Sequence, residues 1–156
     1  MIQAKYLKFA GEFWEDFMVS YKLKENLFQE KIATVRIAHQ GSDSLLQTAN
    51  TIDFLPANLQ LYVEVDFFNI HSDRDYTLIV NLIKKNLDAI PAYTTRVNIP
   101  ARHLTYKMGE LGKTQGNFDF NIVIEEEGDY VFYFSFNDEN NQSLDTYYQY
   151  ISIIKE

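Results

Sequence analysis

The sequence predicts an all-β fold: a two-sheet antiparallel β-sandwich of immunoglobulin-like type, with room for one or two short helices. Three observations carry this. Apolar residues in the second half of the chain recur with period two, the signature of strands with one buried face. About seven such segments follow one another, each bounded by a polar or glycine-containing break, which is the pattern of a sandwich or barrel. Segments that alternate this strictly are best used by two sheets that face each other across a common core.

Taken in order, residues 2–9 read as a strand. Residues 16–24 alternate through Phe17, Val19, Tyr21 and Leu23, although Trp14, Phe17, Met18 and Tyr21 also match helical spacing. The strand reading is preferred there, and residues 11–30 stay open between helix and strand. Residues 31–39 read as a strand with Ala33, Val35 and Ile37 inward, and a short helix is expected to start after Ser42 or Asp43, either of which can cap one.

The later segments are sharper. Leu61, Val63, Val65 and Phe67 share one face, and after the polar break at residues 71–75, Tyr76, Leu78, Val80 and Leu82 share another; a hairpin is expected. Residues 93–99, bounded by Pro91 and Pro100, read as a short edge strand, where proline is tolerated. The stretch from there to Asn117 contains Gly109, Gly112 and Gly116 and reads as a long irregular connection with one helical turn at residues 101–108. Phe118, Phe120, Ile122 and Ile124 then alternate inward, a turn forms around Gly128, and Tyr130, Phe132, Phe134 and Phe136 follow, giving a second expected hairpin. After the polar residues 137–143, residues 146–154 close the fold with Ile151 and Ile153 inward.

A chain of 156 residues without a linker-like break is expected to form one domain over residues 1–156. With 46% hydrophobic and 15% aromatic residues it has the material for a sizeable core. The net charge is −8, and the densest basic stretch, Lys22 with Lys24, runs at once into Glu25. A nucleic-acid partner needs a basic stripe and is not expected. The chain has no cysteine, which closes disulfide and thiol chemistry. Residues 1–14 carry Lys5, Lys8 and Glu12 among their apolar residues, unlike a secretory signal, so a cytoplasmic location is expected. Apolar runs such as Leu78-Ile79-Val80 are far below the ~20 residues of a spanning helix, so no membrane insertion is expected.

Glu126-Glu127-Gly128-Asp129-Tyr130-Val131-Phe132 resembles the corner that opens the penultimate strand of immunoglobulin-like sandwiches. In that family an acid, a glycine and a tyrosine precede an inward residue, and the tyrosine hydroxyl ties the corner backbone together. Here the inward residue is Phe132 rather than cysteine, and Trp14 lies too early to be the usual packing tryptophan, so the resemblance implies architecture alone. More broadly, Phe54-Leu55-Pro56-Ala57 leading into the strand at Leu61, with the strands that follow over residues 50–156, is similar to small uncharacterised β-sandwich proteins of bacteria and their mobile elements. That resemblance implies no activity.

No catalytic, cofactor-binding or metal-binding signature stands out. His39, His71 and His103 lack paired ligand spacing. The acidic loops at residues 71–75 and 137–141 hold oxygen ligands of the kind calcium takes, but Arg74 interrupts the first and neither has EF-hand spacing. Glu125, Glu126 and Glu127 read as solvated acids at a turn. The surplus is aromatic: Phe68, Tyr133, Tyr147, Tyr148 and Tyr150 exceed what one buried face requires, and tyrosine is favoured where proteins meet. These five define the expected interaction surface of a non-enzymatic module, with a protein partner or a second copy as its occupant. A carbohydrate-binding alternative uses Asn140, Asn141 and Tyr147. A third reading, an enzyme with a scattered site, places Arg96, Arg102, His103 and Tyr106 near one connection, where they meet an anionic ligand.

Overall fold

The computed structural model describes residues 2–4 and 19–156, with side chains from residue 22 onward. The described strands are β1 (Ile2–Ala4), β2 (Val19–Tyr21), β3 (Lys31–His39), β4 (Ala49–Ile52), β5 (Ala57–His71), β6 (Tyr76–Lys84), β7 (Ala89–Val97), β8 (Thr105–Met108), β9 (Leu111–Ile124), β10 (Gly128–Asn137) and β11 (Ser143–Lys155). β1 and β2 pair antiparallel with each other. The remainder of the residues 2–9 and 16–24 readings lies partly outside the described residues.

Two sheets make the sandwich, ordered β3-β5-β9-β8 and β4-β11-β10-β6-β7. With β3 and β4 as the two parts of a first strand that switches sheets, this is the A-B-E-D and G-F-C order of an immunoglobulin-like sandwich, with β7 added beside C as the C′ strand. All pairings are antiparallel except β4 with β11. The inward rows read from the alternation are the core: Leu61, Val63, Val65 and Phe67 face Tyr76, Leu78, Val80, Leu82, Phe132, Phe134 and Phe136. Ile151 and Ile153 are buried beside them.

The pairing of those rows differs from expectation. β5 and β6 are not a hairpin, and neither are β9 and β10: each pair places one strand in each sheet. Alternation reports which side of a strand is buried, not which neighbour its backbone bonds, and two inward rows joined by a short connection fit a step across the core as well as a hairpin. The real hairpins are β6–β7, β8–β9 and β10–β11. At the β9–β10 step the Tyr130 hydroxyl donates to the Glu126 carbonyl, the corner bond that the Glu126–Phe132 motif implied.

Three local readings also change. Ala33 is exposed because a bulge between Ile32 and Thr34 shifts the inward row of β3 to Ile32, Val35 and Ile37. No helix follows Ser42. Its hydroxyl accepts from the Ser44 amide at 2.9 Å, closing a turn that lets Leu45 bridge Ala38 and Leu46 pack into the core. The glycine-containing stretch after Pro100 is a single 3-10 turn, Ala101–His103, and then a strand pair. Gly112 lies within that pair, at a position where a Cβ would come 2.7 Å from Leu104 Cβ. Of residues 93–99, the part up to Val97 belongs to the edge strand β7, which begins earlier and includes Pro91, while Asn98 and Ile99 lie beyond its end.

Candidate functional site

The outward row of the five-stranded sheet is built by register. Tyr133 on β10 lies opposite Tyr148 on β11 and Asn81 on β6; Val131 lies opposite Tyr150 and Ile83, and Ser135 opposite Thr146 and Ile79. Cross-strand partners share a face, so these side chains form one surface. Tyr133 and Tyr148 have ring centroids 5.2 Å apart, and Tyr148 stacks on Tyr150 at 6.4 Å. Tyr148 is 53% and Tyr150 69% exposed. None of these residues is charged, and the ionised groups Asp129 and Arg96 sit at the ends of the row. The centre of the row is thus uncharged and aromatic, and its charges lie at the ends.

Two of the five expected surface residues are elsewhere. Tyr147 has the same parity as the buried Asp145 and Ile151, so its ring turns inward and meets Phe134 edge-on at 6.1 Å. Phe68 is on β5, in the other sheet, where the Lys113 ammonium lies 4.6 Å from its ring centroid. The structure therefore brings together Tyr133, Tyr148 and Tyr150 and adds Ile79, Ile83 and Val131, which the sequence reading passed over although they occupy the same alternate positions.

Of the residues of the carbohydrate alternative, Asn140 and Asn141 lie in a turn and Tyr147 is on β11. Asn141 has φ +60° and its side-chain oxygen accepts from Asn137, while the Asp138 carboxylate accepts the amides of Asn140 and Gln142, each at 2.9 Å. The two acidic loops do meet, but through a cation. The Arg74 guanidinium bonds Glu30 and Glu139, with Asp138 3.6 Å away. Among the described residues no group of three or more His, Asp or Glu is spaced to hold a metal ion.

The hydrogen bond from Arg74 holds the Glu139 carboxyl below the ordinary 4.5. A folded-state pKa below the unfolded one means that the pair stabilises the fold fully above pH 4.5, and that this contribution is lost as pH falls through the lowered value. Melting temperature measured from pH 6 down to pH 3 is expected to fall more steeply for the native chain than for Glu139→Gln. Salt narrows the difference, because Glu139 is at the surface.

A buried carboxylate that the sequence reading missed closes the sandwich at one edge. Asp145 accepts from the Ile32 amide at 2.8 Å and from the Lys24 ammonium at 2.5 Å, with a side chain only 1% exposed. Its signal was available, since an aspartate stands on the inward parity of the strand that carries Ile151 and Ile153.

No helix among the described residues is long and apolar enough to cross a membrane. No family model matches the sequence, and no curated protein matches it. Solved structures match by shape. A bacterial adhesin from Mobiluncus mulieris with disulfide, isopeptide and ester cross-links superposes at TM-score 0.56 with 11% identity, over 82% of this chain and 58% of that one. The chain thus spans little more than half the adhesin's length, and having no cysteine it has no counterpart of the disulfide. The C-terminal domain of wzt matches at TM-score 0.52 and 17% identity, over 80% of this chain and 72% of that one. A family 2 glycoside hydrolase, a β-glucuronidase, matches at TM-score 0.52 and 14% identity, over 76% of this chain but 11% of that one. These likenesses are to β-sandwich domains and, at such identities, concern the fold alone, which is the two-sheet immunoglobulin-like sandwich that the strand order describes.

Proposed function

We propose that this chain is a non-enzymatic interaction module that pairs with a second copy of itself through the outer face of its five-stranded sheet. The observation that supports the reading is the absence of charge along that face, from Ile79 and Ile83 through Val131 and Tyr133 to Tyr148 and Tyr150. Each copy carries −8, so two copies repel at a distance. A neutral face is where they approach at least electrostatic cost. A two-fold contact sets the same patch on both sides, and a tyrosine and isoleucine row is complementary to itself through ring stacking and apolar burial. A sandwich of this kind forms part of an adhesin, and that use is also binding rather than catalysis.

The size of the face sets the strength. Three strands about 4.8 Å apart and about 25 Å long outline roughly 400 Å², about half the ~800 Å² per partner of a standard interface. The pairing is therefore weak and concentration-dependent. Sedimentation velocity of the purified chain over a wide concentration series is expected to show a monomer–dimer equilibrium. The double variant Tyr148→Ser with Tyr150→Ser is expected to stay monomeric at every concentration with its melting temperature preserved. A native chain that remains monomeric at millimolar concentration would remove self-pairing and leave a different protein as the occupant. Collapse of the fold in the variant would show that the two tyrosines are core residues.

A further inference from the structure

The charge of this molecule is unevenly placed. Residues 89–118 contain Arg96, Arg102, Lys107 and Lys113 against a single acid, Glu110. That stretch carries +3 and leaves −11 on the rest of a chain whose total is −8. It forms β7, the 3-10 turn, β8 and the start of β9, at the edge of the sandwich away from the β3–β4 crossover. Among the described residues none of these four cations has a carboxylate within ion-pair distance. In a protein with acids to spare, four unpaired cations on one edge are a field aimed at an anion from outside.

A groove of about 410 Å³ lies on the outer face of the four-stranded sheet beside this edge, lined by Asp66, Phe68, His103, Tyr106, Lys113 and Gln115. Its polar groups are held in place. Asp66 accepts from Thr34 on β3 at 2.5 Å and from Gln115 on β9 at 3.0 Å, so its two oxygens lock three strands in one arrangement. The Lys113 ammonium donates to the Asn69 side chain at 2.8 Å and lies over the Phe68 ring. It is ordered by neutral groups and keeps its charge uncompensated. Tyr106 is the opposite of a packing residue. It is 82% exposed, and its backbone sits in the left-handed region at φ +47°, a conformation that costs energy for a side chain with a Cβ. An aromatic ring held out into solvent on a strained backbone has no structural use on this side of the molecule.

These features share one complement. A compact anion such as phosphate is held by converging backbone N–H groups, and along β5 and β9, which carry Asp66, Phe68, Lys113 and Gln115, those are committed to the strand ladder. An open groove with the exposed Tyr106 ring, an amide and a carboxylate suits a ligand with apolar C–H faces and hydroxyl groups at its edges. The uncompensated lysine, with Arg102 and Lys107 nearby in sequence, adds a demand for negative charge. We propose that this groove binds an acidic oligosaccharide, a chain of pyranose rings carrying carboxylate or sulfate groups. The groove is on the opposite sheet from the tyrosine face, so the two proposals stand or fall separately.

Isothermal titration calorimetry of the full chain with hexagalacturonate, a sulfated hexasaccharide, neutral maltohexaose, hexaglutamate and oligothymidylate tests this. At least one acidic sugar is expected to bind, and which of the two binds identifies the anionic group. Maltohexaose and hexaglutamate are expected to bind at least about tenfold more weakly, a difference of about 1.4 kcal/mol. Added salt weakens the acidic sugar and leaves maltohexaose unaffected. Lys113→Gln and Tyr106→Gly are each expected to weaken it about tenfold. Glycine accepts a positive φ, so Tyr106→Gly is expected to lose affinity without losing melting temperature. Hexaglutamate or oligothymidylate binding as tightly as the acidic sugar would overturn the proposal, reducing the edge to bare electrostatics or making it a nucleic-acid site. It also fails if neither acidic sugar binds at millimolar concentration, or if Tyr106→Gly binds like the native chain.

Discussion

Phe136→Ala is expected to remove about 3–5 kcal/mol of folding stability, the largest loss of any single truncation considered for this chain. Phe136 is fully buried on β10, where its ring lies 4.7 Å from Tyr76 and 5.0 Å from Phe67. Tyr76 is a sheet-mate on β6, whereas Phe67 belongs to β5 in the other sheet, so this one ring joins both layers of the sandwich. Truncation loses the transfer energy of the ring and leaves a space that neither sheet can close, because each is held by its own ladder. The Tyr76 hydroxyl, which accepts the His71 amide at 2.9 Å, holds its ring in place and limits collapse into the gap. Domains of this size are stable by about 5–15 kcal/mol, so the variant sits close to the threshold of unfolding. Urea denaturation is the measurement, with a lower midpoint and an unchanged slope expected. A loss below about 1 kcal/mol would mean that the two sheets are not joined at this ring.

The same ring shows how much of the fold was legible. That Phe136 is inward follows from its parity with Tyr130, Phe132 and Phe134; that it meets Phe67 does not, because that contact depends on which sheet each strand joins. Alternation is a property of one strand and pairing is a property of two. Both expected hairpins failed on this distinction, at the β5–β6 and β9–β10 connections, while the inward rows flanking them stood. Ala33 failed for a related reason: the bulge between Ile32 and Thr34 changes parity across it, so Ile32 and not Ala33 continues the inward row of Val35 and Ile37. The corner motif did better, since Tyr130 and Glu126 are four residues apart and their bond is local.

The candidate surfaces divide along the same line. Tyr133, Tyr148 and Tyr150 come together because two share a strand at spacing two and the third is the register partner of Tyr148. Tyr147 could not join them, since neighbours on a strand point to opposite sides, and Phe68 is separated from them by the thickness of the core. The groove beside Tyr106 was the least legible feature. Arg102, His103 and Tyr106 are near one another in sequence, but Asp66, Phe68 and Lys113 reach the same place only through the β5–β9 and β8–β9 pairings.

Asp145→Ala is expected to cost about 3 kcal/mol, the range in which removing one partner strands buried polar groups. The carboxylate of Asp145 bridges the layers where the ladders do not. β11 belongs to the five-stranded sheet, and the amide it caps, that of Ile32, belongs to β3 in the other and sits at a bulge where the strand's own pairing is interrupted. Without an acceptor, that buried N–H loses its only side-chain partner and water has little access to replace it. The Lys24 ammonium contributes less to the loss, since its side chain is half exposed and regains water when the pair breaks. Lys31 makes the site more costly to disturb. Its ammonium donates to the Leu144 carbonyl at 2.7 Å, burial pushes its pKa down, and the nearby Asp145 charge is the main effect holding it up. Removing that charge leaves this cation only the weaker influence of the Glu30 and Glu25 carboxylates. Asp145→Asn separates the two contributions: the amide oxygen still accepts from Ile32 while the charge is gone. Chemical denaturation is expected to rank the native chain above Asp145→Asn and Asp145→Asn above Asp145→Ala. Equal losses in the two variants would mean that the charge alone matters and the Ile32 bond does not. If Asp145→Asn matched the native chain, the hydrogen bond would be the whole contribution, and the carbonyls of Leu144 and Thr146 would suffice for the two ammonium groups.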